Sequence, residues 1–285
     1  MPYPDGVIDL HTHTRASDGT ESPAELMAAA ARAGLTVVGL TDHDTTAGWA
    51  EAVAAVPGSG VSLVRGTEIS CTAGGISVHL LSYLHDPADP ALAGVFADSR
   101  SHRATRAADM VARLGRDLPI SWDDVLAEAA PGATIGRPHI ADALVRLGIV
   151  PDRTAAFAGL LSPHSPYYVR YTAPEAVAAV AAVRAAGGVP VMAHPRASGR
   201  GRVVSDAVIA RMVEAGLAGL EVDHRDHTPA ERAELVALAG RHGLLRTGSS
   251  DYHGAGKPNR LGENTTSREV LAAITAQGRL GVVHP

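Results

Sequence analysis

The stretch Asp9-Leu10-His11-Thr12-His13 carries the main clue to the fold, because an apolar run ends there in two regularly spaced histidines. Residues 7–10 are predicted to form a β-strand, since apolar residues dominate them. Side chains two residues apart on a strand point to the same side, so His11 and His13 should project together from its carboxyl end. Taken alone, such a pair is more often hydrogen-bonded or exposed than bound to a metal. The rest of the sequence must decide between these interpretations.

Short apolar runs of the same kind recur along the chain and alternate with alanine-rich helical stretches. This alternation predicts an α/β fold with a mainly parallel sheet. Seven candidate strands separated mostly by helices come close to the count of a (β/α) barrel. They span residues 7–10, 37–41, 61–68, 76–83, 189–193, 218–222 and 244–248.

Several helices are predicted from their first residues. Ser22-Pro23-Ala24-Glu25 and Thr228-Pro229-Ala230-Glu231 are both typical of a capping box with proline at the first helical position. Ser205 and Ala173-Pro174 are expected to open two more helices.

The alternation breaks between about residues 92 and 168, where three helix-like segments follow one another at residues 91–114, 121–130 and 137–147. No convincing strand interrupts them, although residues 167–171 could form a short one. We therefore predict a small, mostly helical insertion at residues 92–168. It would divide the barrel into a first part at residues 1–91 and a second part at residues 169–285.

The composition narrows the classes of function. A chain of 285 residues that is 46% hydrophobic with a net charge of −5 is expected to fold around a buried core. Its 30 acidic residues outnumber its 25 basic ones, which does not favour bulk attraction to nucleic acid. A phosphate-bearing ligand would have to be held by local arginines or by metal.

Cysteine content and hydropathy indicate where in the cell the protein is expected to be located. The single cysteine, Cys71, excludes an internal disulfide and a zinc site built from cysteines. No stretch approaches about 18 uninterrupted apolar residues, and residues 1–5 lack the basic start of a signal peptide. We expect a cytoplasmic protein without membrane association, and no feature predicts a protein partner.

Imidazoles and carboxylates collect at or just past the carboxyl ends of the predicted strands, where (β/α) barrels hold their active sites. Nine residues share that position: His11, His13, Asp18, His43, Glu68, His79, His194, Asp251 and His253. Mixed nitrogen and oxygen donors suit manganese, zinc or iron. Because nine ligands exceed what one ion accepts, we expect two or three divalent ions, with manganese favoured and Glu68 as a shared ligand. Separate explanations for each residue would require many coincidences at one end of the sheet.

At these residues the chain resembles the PHP (polymerase and histidinol phosphatase) family of metal-dependent phosphoesterases. The resemblance implies a distorted (β/α)7 barrel and phosphate ester hydrolysis by a hydroxide that bridges two metal ions. It is carried by Asp9-Leu10-His11-Thr12-His13 with Asp18-Gly19, Thr41-Asp42-His43-Asp44, Gly66-Thr67-Glu68-Ile69-Ser70, His79-Leu80-Leu81, Ala193-His194-Pro195 and Gly248-Ser249-Ser250-Asp251-Tyr252-His253.

The resemblance also implies how the ligands are divided among the metals. The first metal would be held by His11, His13, Glu68 and Asp251. Glu68 would bridge to a second metal held by His79 and His194, and the third site would comprise Asp18, His43 and His253. Some relatives carry histidine where this chain has Asp18.

Within the family, the chain is most similar to enzymes that hydrolyse nucleoside 3′,5′-bisphosphates, AMP or short 5′-phosphorylated RNA. The helical insertion and the stretch Ile135-Gly136-Arg137-Pro138-His139 carry this similarity. In relatives, the insertion covers the barrel mouth and supplies arginines to the substrate. The residues so implicated here are Arg103, Arg106, Arg137, His139 and His227. Asp223 and Arg225 stand where relatives commonly show an aromatic residue and a proline, which puts the shape of the mouth near His227 in doubt.

General chemistry supports some of these roles and leaves others open. Arg137 and His139 follow Gly136 at a predicted helix start, where backbone N–H groups favour phosphate. Arg103 and Arg106 lie on one helical face, which is also typical of a solvated surface. His227 either protonates the leaving oxygen, contacts the substrate or belongs to a helix cap. No role is predicted for the only lysine, Lys257. Five histidines outside the motifs (His102, His164, His224, His242 and His284) are expected to be exposed.

Two other functions compete with a nucleotide phosphatase. One is histidinol-phosphate phosphatase, which the arginine-bearing insertion disfavours because a ligand with one phosphate needs no second anion site. The other is a non-catalytic metal-binding module, which should have lost ligands, whereas all nine positions here hold competent side chains. An accessory domain of a DNA polymerase is disfavoured because the chain leaves no room for polymerase domains.

Overall fold

The computed structural model describes residues 6–285, so residues 1–5, on which part of the location argument rests, lie outside the described residues. Seven strands form one sheet in the order β1-β2-β3-β4-β5-β6-β7. The strands are β1 (Val7–Thr12), β2 (Leu35–Leu40), β3 (Ser62–Ala73), β4 (Ile76–Tyr83), β5 (Val189–Met192), β6 (Gly219–Asp223) and β7 (Leu245–Gly248). All seven predicted strands are therefore confirmed, and β3 continues five residues beyond its predicted end.

Helices join most of the strands. They are α1 (Pro23–Arg32), α2 (Trp49–Ser59), α3 (Pro90–Leu114), α4 (Trp122–Leu126), α5 (Arg137–Arg146), α6 (Arg153–Ala158), α7 (Ala176–Ala185), α8 (Asp206–Glu214), α9 (Pro229–His242) and α10 (Arg268–Gln277). No helix within the described residues is both long and apolar enough to cross a membrane.

The predicted helix starts are largely confirmed. Ser22 and Thr228 both form full capping boxes, at the starts of α1 and α9, and Ser205 is the N-cap of α8. The exception is α7, which begins at Ala176 after the N-cap Glu175 rather than at Ala173-Pro174. The Glu175 side chain accepts a hydrogen bond from the Val177 N–H, and this cap sets the start.

The sheet is parallel except at β4, which runs antiparallel to both β3 and β5. Gly74 and Gly75 turn the chain between β3 and β4 with positive φ angles of 57° and 75°, a conformation that glycine adopts without steric cost. Because β4 runs the opposite way, its first half lies at the edge where the parallel strands end. His79, paired with Ser70 of β3, reaches that edge from the first half of β4. The expectation that His79 sits at the carboxyl end of a parallel strand is wrong for this reason.

The seam between β7 and β1 is closed by isolated contacts. Thr12 forms a single parallel bridge with Tyr252. The buried Asp9 carboxylate accepts hydrogen bonds from Ser250 N at 3.0 Å and Gly262 N at 2.9 Å. The result is a distorted seven-stranded α/β barrel, as predicted, and the loop after β7 is tied to the end of β1.

Buried apolar side chains fill the barrel and the layer beneath its helices. Ile8, Leu10, Val64, Leu81 and Val191 belong to one cluster inside the strands. Each such side chain contributes about 1.5–3 kcal/mol by leaving water. This packing holds the strand ends, and the polar side chains on them, in one arrangement.

The insertion has a core of its own. Met110, Leu114, Val125, Ile140 and Leu144 belong to a separate buried cluster formed within α3–α6 and the following loop. Three differences from the predicted elements appear here: α4 is shorter than residues 121–130, α6 was not predicted, and residues 167–171 form no strand. The separate core shows a helical unit between β4 and β5. The boundaries at residues 1–91, 92–168 and 169–285 stay a prediction.

The insertion also contacts the loops at the site edge of the barrel. Thr134 N donates a hydrogen bond to Ala16 O at 3.2 Å. Arg153 Nη1 donates to Gly256 O at 3.3 Å. These contacts place the insertion beside the loops after β1 and β7, which carry several of the predicted ligands.

Candidate metal centre

All nine predicted ligands meet at one edge of the sheet. Seven of their side chains are nearly fully buried, whereas His79 is 25% exposed and His194 is 11% exposed. The barrel architecture explains this convergence, because loops that follow different strands approach one another only at that edge.

The first group of donors lies between the ends of β1, β3 and β7. His11 Nε2 and His13 Nε2 are 3.0 Å apart, and they lie 3.2 and 3.1 Å from Glu68 Oε2. Asp251 Oδ1 lies 3.6 Å from His11 Nε2 and 3.5 Å from His13 Nε2. These four atoms converge closely enough to surround one cation.

Glu68 is the centre of the whole cluster. Its Oε1 lies 2.9 Å from His79 Nδ1 and 3.2 Å from His194 Nε2, and its Oε2 lies 3.2 Å from His43 Nδ1. Burial would raise the pKa of Glu68, but nearby imidazoles, His79 and His11 foremost, hold it well below the ordinary value. Glu68 is therefore an ionised carboxylate that faces two sets of donors at once.

A third group surrounds Asp18. His253 Nε2 lies 3.3 Å from Asp18 Oδ1, and His43 Nε2 lies 3.6 Å from Asp18 Oδ2. His13 Nδ1, at 3.7 Å from Oδ1, also belongs to this group. Burial would raise the pKa of Asp18, but His43 and His253 hold it well below the ordinary value. His43 thus faces Asp18 with one nitrogen and Glu68 with the other.

The hydrogen bonding of His253 and His43 is that expected of histidines that bind a metal. His253 Nδ1 donates to Asp251 O at 2.8 Å, which leaves the lone pair of Nε2 facing Asp18. Both His253 Nε2 and His43 Nδ1 are buried and have no hydrogen-bond partner within residues 6–285. Burial lowers the pKa of His253 to about 4, so the ring is neutral. Unpaired imidazole nitrogens beside ionised carboxylates form a donor set suited to borderline divalent metals.

Comparisons with known proteins agree with this geometry. The family model described as "PHP domain" matches residues 9–108. A 3′,5′-nucleoside bisphosphate phosphatase of Chromobacterium violaceum is 35% identical over 254 residues, which is 89% of this chain and 89% of the relative. The chain belongs to the PHP family.

Other PHP relatives agree in sequence and in structure. A 5′-3′ exoribonuclease of Haemophilus influenzae is 31% identical over 247 residues, covering 86% of this chain and 89% of the relative. A crystal structure from Bifidobacterium adolescentis, provisionally named a metal-dependent phosphoesterase, is 46% identical with a TM-score of 0.93 and covers 96% of this chain and 97% of that one. The chain is accordingly an enzyme of the PHP phosphoesterase class.

The PHP site also contains a carboxylate that the sequence analysis did not single out. Glu221, fully buried in the middle of β6, faces His11 Nδ1 with Oε1 at 3.0 Å and accepts a hydrogen bond from His194 N with Oε2 at 2.8 Å. Burial would raise the pKa of Glu221, but His11 is the main influence that lowers it to about 2. The available signal was an acidic residue near the end of a predicted apolar strand, residues 218–222, which Glu68 shares at the end of residues 61–68.

Replacing Glu221 with glutamine should lower metal affinity or kcat/KM by about 10–100-fold, since outer carboxylates that orient ligand histidines have effects of that size. The reason is that His11 would lose the charged partner of Nδ1 that orients its ring. Metal titration and steady-state kinetics would measure both quantities. Glu234→Gln on the surface of α9 is the matched control, and equal behaviour of the two variants would remove Glu221 from the site.

A second unpredicted set contacts the outer oxygen of Asp251. Arg200 Nη2 lies 2.8 Å from Asp251 Oδ2, Lys257 Nζ lies 3.0 Å from it, and His224 Nε2 lies 3.6 Å from it. The expectation that His224 is exposed is wrong, because its side chain is fully buried. The turn after β6 directs it inward, where Nδ1 accepts a hydrogen bond from Asp226 N. The signal for Lys257 was a lone lysine only four residues after the predicted ligand His253.

The predicted substrate arginines come together beside this PHP centre. Arg103 Nη1 donates to Ser70 Oγ at 2.9 Å, and its Nε lies 3.9 Å from Asp44 Oδ2. The Arg106 guanidinium lies over Tyr168 and Tyr171, at 4.9 and 5.3 Å from the ring centroids.

Arg137 completes this arginine cluster from the start of α5, and its guanidinium lies 5.3 Å from the Phe157 ring centroid. The pKa of Arg137 is lowered to about 10, mainly by burial and in part by the nearby charge of Arg106. Within residues 6–285, neither Arg106 nor Arg137 forms an ion pair with a carboxylate, and Arg106 Nη2 is buried without a hydrogen-bond partner.

The two predicted substrate histidines differ in whether a ring nitrogen is left to contact a substrate. His139 Nδ1 accepts a hydrogen bond from Gly136 N at 3.2 Å and so caps α5, which leaves Nε2 for another partner. His227 donates from Nδ1 to Val222 O at 2.8 Å and accepts from Arg196 N at Nε2 at 3.2 Å. Because both nitrogens of His227 are engaged by backbone, the geometry does not support a role for it in protonating or contacting the substrate.

Proposed function

We propose that this enzyme removes a phosphate from small nucleotides that carry two phosphates, with nucleoside 3′,5′-bisphosphates as the main substrate class. The single observation that carries the proposal is the arginine cluster of Arg103, Arg106 and Arg137 beside the donor groups. The donor groups and their metals would bind the phosphate that is hydrolysed, and the arginines would form a separate binding site for the second phosphate.

The nine ligands are proposed to hold two or three divalent ions, with manganese favoured over zinc or iron because the donors mix imidazole with carboxylate. The first site comprises His11, His13, Glu68 and Asp251, the second Glu68, His79 and His194, and the third Asp18, His43 and His253. The contacts of Glu68 Oε1 with His79 and His194 support the second site. Such ions lower the pKa of bound water and neutralise phosphoryl oxygens.

The charge state of the arginine cluster is the physical basis for a second phosphate. The half-buried guanidinium groups of Arg106 and Arg137, which form no ion pair with a carboxylate of residues 6–285, repel each other. The lowered pKa of Arg137 reflects burial together with that repulsion. A dianionic phosphate relieves the repulsion and accepts two-pronged hydrogen bonds from arginine. The unpaired Arg106 Nη2 offers one such donor.

The surroundings of the arginines also suit a nucleoside. Tyr168, Tyr171 and Phe157 present aromatic rings next to the guanidinium groups, and bases stack readily on such rings. Short 5′-phosphorylated RNA is therefore a second candidate substrate, and the 5′-3′ exoribonuclease among the relatives supports it. The proposed location is the cytoplasm, where the free thiol of the buried Cys71 is stable.

The test is phosphate release by the manganese-loaded enzyme from a nucleoside 3′,5′-bisphosphate, 5′-AMP, histidinol phosphate and a short 5′-phosphorylated RNA. Mononucleotide release is followed for the RNA as well. Preference for the bisphosphate or the RNA supports the proposal. Preference for histidinol phosphate would replace it by the competing phosphatase function, and preference for AMP would remove the second phosphate site.

Replacing Arg106 with methionine should lower kcat/KM for the bisphosphate by about 10–100-fold, the effect of one lost charge-assisted contact of about 1.5–3 kcal/mol. The rate with 5′-AMP should change far less, because AMP has no second phosphate. Arg113→Met, further along α3 and exposed, is the control. Equal losses on both substrates would show that Arg106 does not recognise the second phosphate.

A further inference from the structure

We propose that Lys257 and Arg200 bind the reacting phosphate itself and so complete the substrate site on the Asp251 side of the donor groups. This inference rests on the proposed function, because it assigns residues to the phosphate that is hydrolysed. It is separate from the arginine cluster, whose members contact Ser70, Asp44 and the insertion.

The geometry begins at Asp251, whose two oxygens face different ways. Oδ1 faces His11 and His13 at 3.6 and 3.5 Å. Oδ2 faces Arg200 Nη2 at 2.8 Å and Lys257 Nζ at 3.0 Å. The two cations are thus only the width of one carboxylate away from the first donor group.

Exposure shows from which side a substrate reaches the centre. Arg200 and Lys257 are 35% and 31% exposed, and His79 and His194 are the most exposed of the nine ligands. The remaining ligands are almost completely covered by protein. The His194 ring lies 5.4 Å from the ring of His224, which faces the same Asp251 oxygen as the two cations. A phosphate that approaches the donor groups from the exposed His194 side therefore comes close to these cations.

The charge balance around Asp251 explains why the two cations can still bind an anion. Arg200 is shared between Asp251 and Asp226, whereas Lys257 pairs within residues 6–285 with Asp251 alone. Once Asp251 is engaged by a divalent ion, its single negative charge no longer balances the cations beside it. The surplus positive charge attracts an anion, and phosphate is the anion that the reaction brings.

The loops that carry these residues are consistent with substrate contact. Arg200 ends the 3₁₀ turn Ser198–Arg200 in the loop after β5, and Lys257 lies in the loop after β7. Both loops leave the carboxyl edge of the sheet, where substrate contacts in a barrel are made. Lysine and arginine side chains of this length can turn from Oδ2 to a neighbouring anion without any backbone movement.

The decisive variant is Lys257→Met, which keeps the length of the side chain and removes its charge. Its kcat/KM should fall about 10–100-fold both for a nucleoside 3′,5′-bisphosphate and for p-nitrophenyl phosphate, which carries only the reacting phosphate. Lys257→Arg should recover most of the loss. Arg260→Met, a variant of an exposed arginine three residues further on, should behave like the unmodified enzyme. Unchanged kinetics of Lys257→Met on both substrates would overturn the inference.

Metal affinity separates substrate binding from a purely structural role. Removing a cation next to Asp251 should leave manganese binding unchanged or make it tighter, because a repulsive charge is lost. If Lys257 served only to orient Asp251, the Lys257→Met variant would bind manganese more weakly and p-nitrophenyl phosphate hydrolysis would recover at high manganese concentration. That outcome would overturn the inference.

The only lysine also allows a test that needs no turnover. Reductive ¹³C-methylation labels Lys257 and the chain terminus alone, so the NMR signal of the dimethylated side chain can be followed directly. Adding inorganic phosphate to zinc-loaded protein should shift this signal in a saturable way. A shift without hydrolysis of any nucleotide would support the phosphate contact while refuting the proposed substrate class, whereas no shift at saturating phosphate would overturn the contact itself.

Discussion

Replacing Glu68 with glutamine is expected to lower kcat/KM by about a thousandfold, and the purified protein should contain at least one metal ion fewer. Glu68 contacts the His11–His13 pair with Oε2 and the His79–His194 pair with Oε1. Loss of one charged partner in a buried cluster costs about 3–5 kcal/mol. Taken from metal binding, about 4 kcal/mol weakens metal affinity about a thousandfold, and the rate of a reaction that needs the metal falls with it. Elemental analysis after gel filtration and phosphate-release kinetics measure the two effects.

The control for Glu68→Gln is Glu25→Gln, a matched change at an exposed residue of α1 that pairs with Arg15. It should keep full metal content and activity. Metal loss from Glu68→Gln without any change in catalysis would instead favour a non-catalytic metal-binding module. Unchanged metal content and unchanged activity would refute the shared-ligand role.

Removing the metals with a chelator should abolish phosphate release and destabilise the fold, and adding manganese should reverse both effects. Each site filled at a hundred times its Kd adds about 2.7 kcal/mol to the free energy of unfolding. For a chain of this size that corresponds to a rise in Tm of about 5–10 °C per site. Thermal unfolding with and without metal measures the shift. An unchanged Tm together with full activity after verified metal removal would contradict the metal centre.

The same experiment has a defined pH dependence. Burial alone would lower the pKa of His13, but the Asp251 and Glu68 carboxylates raise it to about 9 in the metal-free protein. His13 is therefore protonated at neutral pH, and a metal must displace that proton. Manganese affinity should rise with pH up to about 9 and fall as the solution is acidified, which titrations at several pH values would show.

Much of the fold could be predicted because its signals are local. Ser22 and Thr228 could be recognised as helix starts because their side chains accept hydrogen bonds from backbone N–H groups only three residues away. The strands could be recognised because their apolar runs are continuous. α6 was missed because it is a six-residue helix whose formation depends on packing within the insertion core. The antiparallel direction of β4 was missed because an apolar run carries no information about which way a strand runs.

The candidate site likewise has residues that could be predicted from the sequence and residues that could not. Most of the predicted ligands could be picked out because they lie at or just past strand ends, and barrel geometry brings those ends together. His79 differs, because it reaches the site from the first half of the antiparallel β4. Glu221, His224 and Arg200 could not be assigned, because their roles depend on contacts with residues far away in sequence. His227 looked available in the sequence, and only the folded loop shows that Val222 and Arg196 occupy both of its nitrogens.

The sequence by itself determined the α/β class, the seven strands, the helical insertion and the residues that collect at one edge. These follow from periodicity, caps and spacing, which act over a few residues. Only the tertiary structure decided that Glu68 stands at the centre of five imidazoles and that Asp251 is shared between the donor groups and two cations. It also decided that Arg106 and Arg137 lie together and that neither forms an ion pair with a carboxylate of residues 6–285. The physical reason is that charge and coordination depend on distances of a few ångströms between side chains, and only the packed barrel sets those distances.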